Sequence, residues 1–150
     1  MKLFDPLQKK YSLPKWEELD DVFDIGVIDE KDFSLKLVRS HVREKFQYVI
    51  HLLEPILHPD AVSYAELCEC NVLSDVEKAS LLEVYKRLIM IDRDFLIASL
   101  SSSEENDAML IKKAFSAYKE IVPKLIPYFT KIRDSWNGAT EKEEWAGYLG

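Results

Sequence analysis

Apolar residues recur at intervals of three and four positions near the end of the chain. They are Ala108, Ile111, Phe115, Tyr118, Val122, Leu125, Phe129, Ile132 and Trp136. This spacing is typical of the buried face of a long helix. The stripe continues across Pro123 and Pro127, so we predict one helix that starts near Glu104, bends around residues 119–127 and stops at Asn137 and Gly138.

Further apolar positions widen this face. Leu110, Ala114, Ala117, Ile121 and Tyr128 extend it to about half of the helix circumference. One neighbouring helix cannot cover a face of that width. We therefore expect the last helix to lie in a groove between two other long helices, or to leave surplus surface for another subunit.

The same spacing predicts a second long helix upstream. Its stripe consists of Leu35, Val38, Val42, Phe46, Val49, Leu53 and Ile56. We place its start near Glu30, with Asp29 as the N-cap, because an aspartate satisfies the free N–H groups of a first turn. Pro55 loosens its last turns, and the helix ends near Leu57, since Pro59 follows.

A third long helix is predicted from Ser74 to about Leu100. Ser74 and Glu77 form a capping box, in which each side chain satisfies the other residue's free backbone N–H. Residues 101–103 form a short polar connection to the last long helix. A connection this short makes the two helices antiparallel neighbours.

Shorter segments surround the long helices. Pro14 begins a helix that ends near Ile25, because proline suits the first turn of a helix. Residues 1–12 are interpreted as an N-terminal arm in which Pro6 limits regular structure. Residues 139–150 are interpreted as a C-terminal tail or a short helix.

A short helix is predicted between the second and third long helices. Ser63 and Glu66 match the capping-box pattern at its start. We expect Tyr64 and Leu67 to pack inward from this helix and Asn71 to end it.

Glycine is absent between Gly26 and Gly138. Loops that cradle phosphate groups and tight β-hairpins both depend on glycine, so the sequence excludes a P-loop and a dinucleotide-binding fingerprint. The whole chain, residues 1–150, is therefore predicted to be one all-α domain. Its architecture is an antiparallel helical bundle of three long helices plus short flanking helices.

Composition and charge narrow the function. The 150 residues are 47% hydrophobic and 31% charged, with a formal net charge of -7, which suits a soluble globular protein. Lys113, Lys124 and Lys131 align on the last helix, but Glu120 interrupts them, and the net acidity argues against nucleic-acid binding. No apolar run approaches the roughly 18 residues that span a membrane.

The two cysteines, Cys68 and Cys70, are too few for a disulfide framework, and no apolar segment resembling a secretory signal follows the basic N-terminus. A cytoplasmic location is therefore expected. The two thiols could bind zinc with His58 as a third ligand. Zinc sites normally pair two cysteine motifs, however, so small half-buried side chains are the alternative interpretation.

The most enzyme-like pattern lies on the second long helix, where Glu44, His51, Glu54 and His58 share the polar face. Helical bundles bind metals with carboxylate and histidine ligands. Diiron bundles use Glu-x-x-His, however, whereas the order here is His-x-x-Glu on a single helix, and Pro55 disturbs its geometry. We assign no catalytic, cofactor-binding or metal-binding residue, and a polar outer face is the alternative interpretation.

Asp92 lies in the middle of the apolar arc of the third long helix, beside Leu81 and Leu88. A carboxylate in that position must be paired, hydrogen-bonded or protonated. Lys45 and Tyr85 are the candidate partners. A buried structural link is favoured over an active-site role.

The tail residues Trp145, Tyr148 and Leu149 form an acidic and aromatic amphipathic segment with its neighbours. Such a segment can dock into a groove on another protein, or it can fold back over its own bundle.

Three stretches resemble a set of small uncharacterised archaeal proteins. They are residues 13–19 (LPKWEEL), residues 67–70 (LCEC) before the Ser74 cap, and residues 134–136 (DSW) at the end of the last long helix. The resemblance spans about residues 13–136. It implies a cytoplasmic all-helical protein and adds neither an activity nor a site residue.

These patterns together predict a non-catalytic protein-interaction or assembly module. Its partner would be a protein, either a second copy or a different chain, and neither a nucleic acid nor a membrane. The alternative is a small helical metal-binding protein or enzyme that uses His51, Glu54 and His58. A small-molecule ligand stays open.

Overall fold

The computed structural model describes residues 2–101 and 103–138. Within these residues six α-helices follow one another: α1 (Phe4–Tyr11), α2 (Trp16–Phe23), α3 (Leu35–Leu57), α4 (Tyr64–Val72), α5 (Asp75–Leu100) and α6 (Glu104–Gly138). The described residues contain no β-strand, and α3, α5 and α6 pack together, which confirms the predicted all-α bundle of long helices. None of these described helices is long and apolar enough to cross a membrane.

A row of aromatic rings runs through the core. Phe95 of α5 lies 5.9 Å from Phe46 of α3, measured between ring centroids. Phe46 is 5.6 Å from Tyr118 of α6, and Tyr118 is 5.3 Å from Phe23 of α2. The row joins the three long helices to α2, with edge-to-face contacts on both sides of Tyr118 and a tilted contact between Phe46 and Phe95. Helix α6 therefore packs in the groove expected for its wide apolar face.

Helix α6 is continuous through Pro123 and Pro127, which confirms the prediction of one helix rather than two. Both prolines are exposed, so their rings interrupt the backbone hydrogen bonds on the solvent side of the helix. Ile121, Leu125 and Ile132 remain buried on the opposite side. Burial of this side offsets the missing hydrogen bonds.

The predicted start of α3 is wrong by about one turn. Ser34, rather than Asp29, is the N-cap, and its hydroxyl oxygen accepts a hydrogen bond from the Leu37 backbone N–H at 3.2 Å. Residues Glu30–Asp32 instead form a short 3-10 turn. The end of the helix at Leu57 is as predicted.

Residues 4–11 form a helix, which corrects the expectation that Pro6 limits regular structure there. Pro6 lies in the first turn, where a backbone N–H has no partner within the helix, so the proline removes no hydrogen bond. Phe4 is fully buried, and its ring lies 5.3 Å from that of Trp16. The start of the chain is thus part of the core.

Helix α2 starts at Trp16, later than the predicted Pro14, and ends at Phe23. Asp24 follows in the left-handed conformation, with φ of 55°. The Gly26 backbone N–H then donates to a carboxylate oxygen of Asp20 at 2.5 Å. A Cβ on residue 26 would lie 2.8 Å from that carboxylate, so glycine permits the close approach.

The capping box at Ser74 and Glu77 is confirmed, because each side chain accepts from the other residue's backbone N–H. The start of α4 is only half of such a box. Ser63 accepts from the Glu66 N–H at 3.3 Å, whereas the Glu66 carboxylate accepts from Asp60 at 2.7 Å.

The side chains of α4 correct another prediction. Tyr64 and Leu67 were expected to pack inward, but they are exposed, at 66% and 38% of their surface. The helix continues past Asn71 to Val72. Its attachment to α6 is instead polar, since the Trp136 indole N–H donates to Glu69 at 3.0 Å.

Candidate functional site

The polar face of α3 does not gather its histidines into a site. His51 Nδ1 lies 3.2 Å from a carboxylate oxygen of Glu54, and the other oxygen of Glu54 accepts from the Tyr85 hydroxyl at 3.1 Å. His58 is the residue that caps the end of the helix. Glu54 thus connects α3 to α5. Over residues 2–101 and 103–138, no three His, Cys, Asp or Glu side chains are placed to hold a metal ion.

The two cysteines lie on α4, half-buried and without a disulfide bond. Cys68 lies one turn along the helix from Tyr64, and its interaction with the Tyr64 hydroxyl raises the pKa of the tyrosine. The arrangement matches the interpretation of these thiols as small side chains at the surface of the bundle.

Asp92 is buried and paired, and its principal partner is Arg43. The Arg43 Nε donates to Asp92 Oδ1 at 2.8 Å, and the Gln47 amide donates to the same oxygen at 3.3 Å. Arg93 donates to Oδ2 at 3.1 Å. A carboxylate with three donors is satisfied despite its burial, which favours the structural role.

The two partners that the sequence suggested for Asp92 lie elsewhere. Lys45 donates to Asp24 at 2.5 Å, and Tyr85 donates to Glu54. Which residues of α3 reach Asp92 depends on which side of α3 faces α5. Arg43 and Gln47 are one turn apart on that side, whereas Lys45 projects toward the end of α2.

A second buried ion pair was not predicted. Arg39 of α3 donates both to Asp107 of α6 and to the Ala98 carbonyl of α5, the latter at 3.1 Å. Burial raises the pKa of the Asp107 carboxyl, and the Arg39 guanidinium acts in the opposite direction. The only sequence signal was an arginine directly after Val38, inside the apolar stripe.

A cavity of about 250 Å³ adjoins this ion pair, near the start of both α3 and α6. Ser34, Lys36, Ser103 and Glu104 contribute polar groups to its lining. The charge of Arg39 is already used by Asp107 and the Ala98 carbonyl, and Glu104 offsets Lys36. The cavity is therefore a polar gap above a structural link rather than a charged binding site.

A largely apolar cavity lies between α3 and α6, and we name it the α3/α6 groove. Its volume is about 390 Å³. It is lined by Tyr48, Val49 and Leu52 of α3 and by Tyr118, Val122, Leu125, Ile126, Phe129, Thr130 and Arg133 of α6. Arg133 is the one permanently charged residue of this lining, and it lies toward the C-terminal end of α6.

Helix α2 explains why the groove is open. Its Phe23 packs on Phe115 and Tyr118, at centroid distances of 6.3 Å and 5.3 Å, and so covers the half of the α3 and α6 interface nearest the start of α6. The helix ends at Phe23. Beyond that point Tyr48 is 59% exposed and Ile126 is 57% exposed. Large apolar side chains clustered in this way indicate a binding surface.

No protein-family model, curated protein or solved structure matches the chain. The resemblance to small archaeal helical proteins therefore stays a prediction. The aromatic tail at Trp145, Tyr148 and Leu149 lies outside the described residues, so its packing also stays a prediction.

Proposed function

We propose that the chain is a non-catalytic protein-interaction module that binds an amphipathic helix of a partner protein in the α3/α6 groove. The single observation that carries this proposal is the open apolar channel between two packed helices, with Tyr48 and Ile126 exposed on its two sides. Channels of this kind accept a helix that presents large apolar side chains three and four positions apart.

Helix α2 supports the choice of occupant. It is an eight-residue amphipathic helix, and it packs the buried Phe23 against Phe115 and Tyr118 of α6 next to the open part of the groove. A partner helix would continue that arrangement over the open half.

The lining supports binding rather than catalysis. Its polar side chains are those of Tyr48, Tyr118, Thr130 and Arg133, and burial raises the pKa of Tyr118, so that its hydroxyl stays protonated. A general base or an activated nucleophile has no candidate among these groups. The proposal includes a cytoplasmic location, which the two free cysteines support.

Co-purification from the native cell tests the proposal. Tagged wild-type chain is compared with Tyr48→Glu and Ile126→Glu, which place a charge in the groove. The control is Val62→Glu, because Val62 is 91% exposed and lies outside the groove. Circular dichroism checks that all four proteins are folded.

We expect a specific protein to be recovered with the wild type and with Val62→Glu, and its recovery to fall about tenfold or more with either groove variant. Recovery of the same proteins at equal yield from all four chains would contradict the proposal.

A further inference from the structure

The outer surface of the α5 and α6 pair, on the side away from α3, carries two adjoining depressions. One has a volume of about 430 Å³ and the other about 340 Å³. They share Asp94 and Lys113, so they form one continuous trough. We name this trough and its rims the α5/α6 face. It is separate from the α3/α6 groove.

Large apolar side chains lie along the α5 side of this face at multiples of seven residues, with the charged Glu83 at the position between the first two. Val76 is 77% exposed, Met90 is 70% exposed and Ile97 is 65% exposed. Met109 on α6 is 61% exposed. A seven-residue interval keeps these side chains in one line on a helix, which is the pattern of a surface that packs against another helix.

Ion pairs across the trough fix how the two antiparallel helices are aligned. Arg87 donates to Glu120 at 2.8 Å, and Lys113 donates to Asp94 at 2.7 Å. Each pair therefore places opposite charges at the same position along the two helix axes, and we call such a position a level. By the same alignment Glu83, four residues before Arg87, is level with Lys124, four residues after Glu120.

This charge pattern is complementary to itself. A twofold axis that runs along the trough brings α5 of one copy onto α6 of another without changing the level of any residue. Arg87 then faces Glu120 of the second copy, and Asp94 faces Lys113 of the second copy. Glu83 likewise faces Lys124 of the second copy, so each of these three charged levels meets its opposite.

The shapes of the two rims also match under that rotation. Met90 of α5 is level with Ser116 and Ala117 of α6, which line the same depression. The rotation therefore places a long flexible side chain of one copy over small side chains of the other. Large side chains facing small ones are how helices interdigitate.

The face is large enough for a stable contact. From Val76 to Leu100 α5 is about 36 Å long, and two helices side by side are about 20 Å wide. The projected surface of about 700 Å² is close to the roughly 800 Å² that each partner buries in a standard interface.

We infer that the α5/α6 face binds a second copy of this chain, and that α5 and α6 of the two copies form a four-helix bundle around the twofold axis. A second copy fits this face because each ion pair within the chain meets the same pair of the other copy with its charges exchanged, and because the face has the area of a standard interface. The α3/α6 grooves lie outside this interface, so the dimer leaves them open.

Light scattering during size-exclusion chromatography of the full chain tests this inference. The wild type is expected to elute with twice the monomer mass. Met90→Glu should raise the dissociation constant of the dimer at least about tenfold, because it buries an uncompensated charge. Val62→Glu, an exposed change elsewhere, should leave the dimer intact. A monomeric wild type, or a Met90→Glu variant that dimerises as tightly, would overturn the inference.

A charge-swap experiment tests the orientation. Asp94→Lys and Lys113→Asp each put like charges against each other in a homodimer, so each variant alone should be monomeric. Mixed together they should form a heterodimer, because Lys at position 94 of one copy faces Asp at position 113 of the other. A twofold axis that crosses the trough midway between Arg87 and Asp94 would instead set that lysine against Arg87, so failure of the mixture to dimerise would overturn the proposed arrangement.

Discussion

Arg43 of α3 and Asp92 of α5 form an ion pair between two helices of the core, with Nε donating to Oδ1 at 2.8 Å. Only 6% of the Asp92 side chain is exposed, whereas 29% of the Arg43 side chain reaches solvent. The carboxylate is therefore the member that depends on its partner. Its burial is tolerated because Gln47 and Arg93 supply further donors.

Replacement of Asp92 by Asn should destabilise the fold by about 2–4 kcal/mol, because it leaves the Arg43 guanidinium without its counter-charge. The control is Asp29→Asn. Asp29 pairs with Lys31 at 3.7 Å and both side chains are largely exposed, so this change should stay within about 0.5 kcal/mol. Urea denaturation measures both values. Equal stability of Asp92→Asn and the wild type would show that the pair is not ionised.

A double-mutant cycle measures how much the Arg39 and Asp107 pair contributes to stability. Arg39→Met alone should lower the free energy of unfolding by about 3–5 kcal/mol, because it leaves the buried Asp107 carboxylate without its counter-charge. The double variant Arg39→Met with Asp107→Leu should recover most of that loss, because neither buried charge remains. The free energies of unfolding from urea titrations complete the cycle. A double variant less stable than Arg39→Met would contradict this interpretation.

Stability should fall in acid because of the Glu77 carboxyl on α5. Lys131 and the backbone and hydroxyl of Ser74 lower the pKa of Glu77 from 4.5 to about 2. A carboxyl with a lowered pKa in the folded state stabilises the fold fully above pH 4.5, and this contribution is lost as the pH falls toward about 2. Urea midpoints measured across that range should therefore decrease.

Two variants check the cause. Glu77→Gln removes the titrating group, and Lys131→Gln removes the cation that contributes most to its lowered pKa. Both should show a smaller decrease of stability between pH 4.5 and about 2 than the wild type. A decrease as steep as that of the wild type in both variants would exclude this contact as a source of acid sensitivity.

Pro123→Ala should stabilise the protein by about 1–2 kcal/mol. Alanine supplies the backbone N–H that proline lacks, although the gain is below the ~3 kcal/mol cost of an interior proline because the unfolded chain becomes freer. The matched control is Pro6→Ala in the first turn of α1, where no hydrogen bond is recovered and little change is expected. Thermal unfolding compares the two. A loss of stability in Pro123→Ala would mean that the proline shapes α6 around its neighbours.

Periodicity was sufficient to predict the long helices and the burial of Asp92, because both follow from positions on a single helix. The partner of Asp92 could not be predicted in the same way, since it depends on which side of α3 faces α5. The predicted start of α3 was wrong for a local reason. Asp29 and Ser34 are both good caps, and the choice between them depends on contacts of the preceding turn.

The sequence indicated only the α6 side of the α3/α6 groove. The surplus apolar width of α6 was evident from the spacing, but Ile126 lies outside the apolar positions that define this width. Tyr48 and Leu52, however, lie beside the apolar stripe of α3 rather than in it. The groove is open because α2 ends at Phe23, which fixes how much of α3 and α6 is covered. That extent is a property of the tertiary packing.

Photo-crosslinking from the groove tests the central claim most directly. Leu52, which is 38% exposed and lines the groove, is replaced by p-benzoylphenylalanine in the full chain, and Val62 is replaced in a control. After irradiation in the native cell, we predict that position 52 and not position 62 crosslinks to an amphipathic helix of another protein. Crosslinks from position 52 to residues 139–150 of the same chain, or the same products from both positions, would contradict the proposed function.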